Sequence, residues 1–74
     1  MTPWQARASG IIKAEMARRH LGYRELAERF QARGSSETEK NLSNKVSRGA
    51  FTAAFFLECL DVLGVGLLRL DQED

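Results

Sequence analysis

Start and stop signals for α-helices divide this chain into four segments, and these signals limit what the chain can fold into. Each segment opens on a residue that can cap a helix, and three of the four close on a glycine suited to a left-handed helix end. Between these signals, apolar residues recur at intervals of three and four, which is the helical period. The pattern predicts helices over about residues 3–20, 23–33, 37–48 and 53–63.

Capping residues indicate where the predicted helices begin. In three of them a Gln or Glu stands three positions after the cap, which is the capping-box spacing. These pairs are Thr2 with Gln5, Gly22 with Glu25, and Ser36 with Glu39. The stripes expected to face the core contain Trp4, Ala8, Ile11, Ile12, Met16, Leu26, Ala27, Phe30, Thr38, Leu42 and Val46. Residues 65–70 form a shorter apolar segment that fits a helix and an extended strand equally well.

The length and composition place the chain among small globular domains. With 74 residues it is too short for two domains, so we expect one domain over residues 1–70 and a short acidic tail over 71–74. No apolar run reaches the roughly 20 residues that a membrane span needs, and the N-terminus lacks the layout of a signal peptide. The single cysteine, Cys59, cannot form an internal disulfide, which favours a cytoplasmic protein.

Residues typical of catalysis or metal binding are sparse. His20 is the only histidine, and no second His or Cys lies at metal-ligand spacing. The sequence also has no Gly-rich phosphate loop and no nucleophile motif. We therefore expect a protein that is not an enzyme and uses no cofactor or metal.

The net charge of +1 hides an uneven distribution. Residues 1–70 hold all eleven Lys and Arg but only seven acids, giving +4, and the tail contributes −3. Residues 40–57 contain Lys40, Lys45 and Arg48 and no acid. Such a stretch suits a nucleic-acid contact when its side chains share one face; otherwise it is a solvated surface that happens to lack acids.

The predicted third helix gathers its polar side chains on one face. A helical wheel with Leu42 inward places these residues outward, with Lys45 on the flank: Lys40, Asn41, Asn44, Ser47 and Arg48. Asn can pair with adenine and Arg with guanine, while Lys and Ser suit phosphates. We therefore predict DNA contact through this helix. Arg24, near the start of helix 2, fits a phosphate contact and an ion pair with Glu28 about equally.

The predicted fourth helix is apolar on nearly all sides. A helix of this kind either lies at the centre of a core or shares its surface with a partner. In so small a chain we expect a homodimer contact through this helix or the segment after it. The residues expected at that contact are Phe55, Phe56, Leu67 and Leu68.

Three of these segments resemble the helix-turn-helix of the phage-repressor-like superfamily. Residues 21–30, Leu-Gly-Tyr-Arg-Glu-Leu-Ala-Glu-Arg-Phe, resemble its first helix. Residues 41–49 resemble its recognition helix with the glycine turn, and residues 52–65 resemble the core helix that follows. More narrowly, residues from about 11 to 70 are similar to a family of small bacterial proteins of uncharacterised function. The wider resemblance implies a compact all-α domain of four to five helices that binds DNA through the third.

The chain departs from the repressor-like pattern in two places. Residues 31–37 lengthen the turn before the recognition helix, and Ser47-Arg48 replaces the Glu that usually precedes the glycine turn. In repressor-like domains that Glu commonly pairs with an Arg of helix 1. Here Glu15 lies in the apolar stripe of helix 1, so we expect the polarity to be swapped, with Glu15 paired to Arg48 or Lys45.

Together these patterns predict sequence-specific binding of duplex DNA by a small bacterial transcriptional regulator or a phage-related accessory factor. The helix over about residues 37–48 would enter the major groove. The alternative is a protein-interaction adaptor or antitoxin-like module that uses the apolar helix 53–63. The lengthened turn and the low net charge favour the alternative, whereas the composition of the third helix favours DNA.

Overall fold

Four α-helices build the fold. The computed structural model describes residues 1–71 and contains α1 (Pro3–Arg18), α2 (Tyr23–Ala32), α3 (Glu39–Arg48) and α4 (Ala53–Leu63). α1 packs against α3 and α4, and α2 packs against the same two helices, so all four enclose one core. The described part of the chain has no strand, which confirms the predicted all-α class. Three residues of the predicted acidic tail, 72–74, lie outside the described residues.

The predicted caps form at three helix starts. The Thr2 hydroxyl accepts a hydrogen bond from the Gln5 N–H at 3.1 Å, and the Gln5 side chain accepts one from the Thr2 N–H at 2.8 Å. At α2, the Glu25 carboxylate accepts from the Gly22 N–H at 2.9 Å. At α4, the Thr52 hydroxyl accepts from the Phe55 N–H at 3.0 Å. Each bond satisfies a backbone donor that the helix itself leaves unpaired.

The third helix begins two residues later than predicted. Its cap is Thr38 rather than Ser36: Thr38 has extended backbone angles, and its hydroxyl accepts from the Asn41 N–H at 3.1 Å. Thr38 is therefore an exposed capping residue and does not belong to the inward stripe. Glu37 lies in the connection, where the Gln31 side chain donates to its carbonyl at 2.8 Å. The lengthened turn is thus hydrogen-bonded to the end of α2.

Most of the predicted stripe residues form the core. Those that are fully enclosed contribute to one cluster from all four helices: Ile12, Leu26, Phe30, Leu42, Val46 and Cys59. Phe30 and Phe55 stack across it with ring centroids 6.2 Å apart. Burial of side chains such as these contributes about 1.5–3 kcal/mol each, which is the main favourable term for a domain of this size.

The inward position predicted for Trp4 is wrong, and residues 65–70 adopt neither of the two structures that the sequence left open. Trp4 is 74% exposed because it shares the side of α1 that carries Arg7 and Ile11, and that side faces the C-terminal segment rather than the core. Residues 65–70 form no regular helix or strand. They run beside α1, where the Arg7 guanidinium donates to the Leu70 carbonyl. α1 also ends at Arg18 rather than His20, whose φ of 55° lies outside the helical region.

The tightest packing in the fold lies between the start of α1 and the end of α3. Gly49 ends α3 with φ 66°, and a Cβ built on it would lie 2.1 Å from the Gln5 carbonyl oxygen. No other residue type fits a left-handed backbone pressed against another backbone in this way. Gly49 therefore fixes where α3 ends relative to α1.

We predict that Gly49→Ala lowers the free energy of unfolding by more than 3 kcal/mol, because the left-handed strain of about 1–2 kcal/mol adds to a backbone clash. Gly34→Ala is the matched control: its φ is 89°, but an added Cβ would meet nothing within 4 Å. The Gly34→Ala variant should therefore lose only the stability that corresponds to the left-handed strain, about 1–2 kcal/mol. Urea unfolding followed by circular dichroism measures both, and equal losses for the two variants would contradict the close approach.

Candidate nucleic-acid interface

The exposed face of α3 carries a row of three polar side chains. Lys40, Asn44 and Arg48 stand four residues apart, so they lie along one side of the helix and are all exposed. Ser47 and Asn41 are exposed beside the row. Leu42 and Val46 are buried on the opposite side, and they hold the helix with this polar face outward.

Few of the cations in this chain are left without a partner. Of the eleven Lys and Arg, eight take part in an ion pair or a side-chain hydrogen bond within residues 1–71. The three that do not are Lys13, Lys40 and Arg48. Two of them are on the outward row of α3, and the third belongs to α1.

Tyr23 connects Lys13 and Lys40, two of these three cations, into one surface, and Arg48 extends it along the outward row of α3. It is half-buried at the start of α2 and borders two shallow grooves. One groove, between α1 and α2, is also lined by Lys13 and Ser47, and the other is lined by Lys40 and Asn44. Residues from α1, α2 and α3 therefore meet around one tyrosine ring. We call the surface formed by Lys13, Tyr23, Lys40, Asn44, Ser47 and Arg48 the α3 face.

Sequence reasoning missed Lys13 and Tyr23 as members of this surface. Lys13 follows the buried Ile12 and lies on the flank of α1, but only the packing of α1 against α3 shows which flank adjoins Ser47. Tyr23 follows the cap of α2, and this position in the sequence does not indicate that the side chain borders two grooves. No signal within either helix alone identifies these two residues.

Arg24 is exposed at the edge of this surface. Its side chain is 75% exposed, and its guanidinium lies 3.7 Å from the carboxylate of Glu25, not from the Glu28 considered above. Glu25 is the capping carboxylate of α2, and hydrogen bonds from its own backbone N–H and that of Gly22 lower its pKa. Arg24 thus keeps a solvated guanidinium beside the N-terminus of α2.

Lys45, predicted to contact DNA, is paired within the chain, although 47% of its side chain is exposed. Its ammonium lies 2.6 Å from the carboxylate of Glu37 and 4.9 Å from the centre of the Phe55 ring. Glu37 is largely buried, with 15% of its side chain exposed. Lys45 therefore ties α3 to the lengthened turn and to α4, and its charge is neutralised. We remove it from the candidate DNA-contact set.

The expected pairing of Glu15 with Arg48 or Lys45 is wrong. Glu15 is buried, and its carboxylate accepts hydrogen bonds from Arg18 and, at 2.5 Å, from Arg19, one turn further along α1. Burial opposes its ionisation, but these hydrogen bonds and the two positive charges outweigh burial and lower its pKa. The pairing is local to α1, and Arg48, at the end of α3, has no ion-pair partner among residues 1–71.

The apolar side chains of α4 mostly face the core of this same chain. Phe55, expected at a dimer contact, is 9% exposed and packs on Phe30 and Phe51, so it offers almost no surface. Phe56 is half-buried and stacks on Phe51 at 6.0 Å. Leu57 is the one large apolar residue of the helix that is exposed. The surface available to an adaptor working through residues 53–63 is correspondingly small.

The position of Cys59 suppresses the reactivity of its thiol. Cys59 is fully buried, and desolvation, helped by the charges of Glu58 and Glu37, raises its pKa to about 12. A thiol with that pKa stays neutral and packs as a small apolar side chain. Residues 1–71 contain no group of three or more His, Cys, Asp or Glu that could hold a metal ion. Among the same residues, no helix is long and apolar enough to cross a membrane.

Comparison with known proteins identifies a family for this chain. Residues 4–68 match the family described as "Domain of unknown function (DUF6471)". No curated protein and no solved structure matches the chain. The match covers all four helices and most of the C-terminal segment.

The buried carboxylate of Glu15 makes stability depend on pH. We predict that Glu15→Gln lowers the free energy of unfolding at pH 7 by about 1–2 kcal/mol, because two charge-assisted hydrogen bonds are weakened and one partner is solvent-exposed. Because the pKa of Glu15 is lowered in the folded protein, its contribution is present above the unfolded pKa and is lost as the pH falls. The difference between wild type and variant should therefore shrink below about pH 4.

Thermal melts of both proteins between pH 7 and pH 3 measure this effect. Glu28→Gln is the control, since Glu28 is exposed on α2 and has no ion pair within residues 1–71. A Glu15→Gln deficit that stays constant down to pH 3 would show that the side chain acts through packing alone.

Proposed function

Since the chain belongs to the DUF6471 family, whose description assigns no function, we propose from its own surface that it binds duplex DNA through α3. The observation that carries the proposal is the gathering of Lys13, Lys40 and Arg48, the three cations without an internal partner in residues 1–71, on the α3 face. Duplex DNA is a dense array of phosphate charge, and a protein that neutralises phosphates gains affinity by releasing counterions.

The dimensions of the α3 face suit the major groove. Lys40 and Arg48 are eight residues apart, so their Cα atoms are separated by about 12 Å along the helix axis. That length spans roughly three to four base pairs at 3.4 Å each. α3 is also exposed along one whole side, as a helix must be to enter a groove about 12 Å wide.

Phosphate contacts on either side of the groove would orient the helix. Lys13 projects from α1, and Arg24 lies at the N-terminus of α2, where backbone N–H groups favour an anion. The two residues come from different helices that flank α3, so together they can fix its register on the duplex. Such contacts position a protein but carry no sequence information.

Sequence recognition would depend on the side-chain amide of Asn44 and the guanidinium of Arg48. Asn44 lies at the centre of the row, between Lys40 and Arg48. A side-chain amide can donate to and accept from adenine in a bidentate pair, and Arg can do the same with guanine. Asn41 and Ser47 are exposed on either side and suit further contacts to bases or phosphates.

A protein of this kind would act as a small bacterial transcriptional regulator or a phage-related accessory factor, in line with the repressor-like resemblance of residues 21–65. Three free cations give one subunit modest affinity. A homodimer that contacts two half-sites would have a higher affinity for DNA, because the second contact becomes intramolecular.

We predict that the affinity for a random duplex falls with salt with a log–log slope of about −2.7, as expected for three phosphates neutralised by Lys13, Arg24 and Lys40. Lys13→Gln and Lys40→Gln should each reduce the magnitude of the slope by about 0.9. Fluorescence anisotropy at several salt concentrations measures both quantities. Arg33→Gln is the control for loss of one positive charge, because Arg33 is paired with Asp61 at 2.5 Å, away from the α3 face. Absence of binding at low salt would refute the proposal.

Asn44→Ala tests base recognition separately. After selection of a preferred duplex from a random library, the variant should lose about 1–3 kcal/mol of preference for that duplex over a scrambled one. Its affinity for the scrambled duplex should stay close to that of the wild type. If both affinities fall equally, Asn44 supports the helix and does not contact a base.

A further inference from the structure

We infer that the surface formed by Met1, Trp4, Arg7, Ile11, Leu67, Leu70 and Asp71 is the interface between two copies of this chain. We call it the terminal surface. Five large apolar side chains are strongly exposed within residues 1–71, and four of them, all except Leu57, lie in the two terminal segments: Met1 at 74%, Trp4 at 74%, Leu67 at 79% and Leu70 at 59%.

The two terminal segments form one continuous surface. The Arg7 guanidinium donates to the Leu70 carbonyl, which joins the first turns of α1 to the C-terminal segment. Trp4 lies one turn before Arg7 on the same side of α1, and Ile11 one turn after it. Further along, Ile11 and Leu67 line an open groove of about 520 Å³ between α1 and the C-terminal segment.

The exposed area matches what a second copy would bury. The four exposed side chains together offer on the order of 500 Å² of apolar surface, the size of the largest apolar patch on an ordinary monomer. A standard protein–protein interface buries about 800 Å² on each partner, of which roughly 450–500 Å² is apolar. The terminal surface is therefore large enough to form the centre of a two-fold interface.

The charges around this surface favour self-association over a strongly charged partner. Within residues 1–71, Arg7 has no carboxylate partner, whereas Arg69 and Asp71 pair at 3.1 Å at the surface edge. A rim that carries both signs can meet its own copy across a two-fold axis, with Arg7 of one chain facing Asp71 of the other. A purely basic or purely acidic partner would meet like charge on one side of the same rim.

The location of the surface leaves the α3 face free, and this step rests on the proposed DNA binding. The groove residues Arg7, Ile11 and Arg18 lie on one flank of α1, and Lys13 lies on the other. Two chains joined through their terminal surfaces would place two α3 helices on the outer sides. The distance between the two α3 helices would then consist of three helix-to-helix spacings: α3 to α1, α1 to the second copy of α1, and that helix to the second α3. At 8–10 Å each, these spacings add up to roughly 25–30 Å, and the C-terminal segments between the two copies of α1 increase the distance toward the ~34 Å of one DNA turn.

Sedimentation equilibrium of the full chain without DNA tests the inference. We expect a monomer–dimer equilibrium with a dissociation constant in the micromolar range. Trp4→Ala and Leu67→Ser should each weaken dimerisation at least tenfold. Because both side chains are exposed in the single chain, neither substitution should change the thermal melt recorded at protein concentrations where the chain is monomeric. Leu57→Ser is the matched control: Leu57 is 64% exposed on α4, outside the terminal surface, and its loss should leave dimerisation unchanged.

Trp4 provides a second readout, because it is the only tryptophan of the chain. Its fluorescence should shift to shorter wavelength as the protein concentration rises, since dimerisation removes the indole from water. A chain that is monomeric at millimolar concentration would overturn the inference, and so would a dimer that Leu57→Ser dissociates and Trp4→Ala does not.

The two proposals fail in different ways. A dimer of the predicted interface that binds no duplex at low salt would refute DNA binding and support the interface. A chain that binds duplex with the predicted salt slope but stays monomeric would refute the interface and support DNA binding.

Discussion

The close approach of Gly49 to the backbone of Gln5 governs how this small domain is assembled. The end of α3 is held against the first turn of α1, so the two helices that carry the unpaired cations keep a fixed relation. The capping box at Thr2 holds the same first turn, because the Thr2 hydroxyl satisfies the N–H of Gln5, the residue that Gly49 approaches. This contact therefore sets the position of the end of α3 relative to the start of α1.

The buried acidic residues take up three of the cations of this chain. Glu15 and Glu37 are each largely buried: Glu15 pairs with Arg18 and Arg19 just after it in the chain, whereas Glu37, in the turn before α3, pairs with Lys45 within α3. A buried carboxylate must be paired, since its desolvation is costly. More exposed carboxylates and backbone carbonyls hold five further cations, so the three that have no partner in residues 1–71 are those on the α3 face.

The sequence predicted the helices well and the site in part, for reasons that particular residues make plain. Capping and periodicity are local, so Thr2, Gly22, Thr52 and the buried stripes were identified correctly. The start of α3 was misplaced because Ser36 and Thr38 both satisfy the rules for a cap. The errors at Trp4 and Phe55 share one cause: a helical wheel shows that a side is apolar, but not whether another segment of the chain covers it.

The sequence by itself determined the all-α class, three of the four helix starts, and the outward row of Lys40, Asn44 and Arg48. These depend on spacing within one helix, which the order of residues fixes. Only the tertiary structure decided that Glu15 pairs within α1, that Lys45 is taken up by Glu37, that Lys13 and Tyr23 join the α3 face, and that Trp4 stays exposed. Each of these depends on which helix lies beside which, and that arrangement is set by the packing of the whole core.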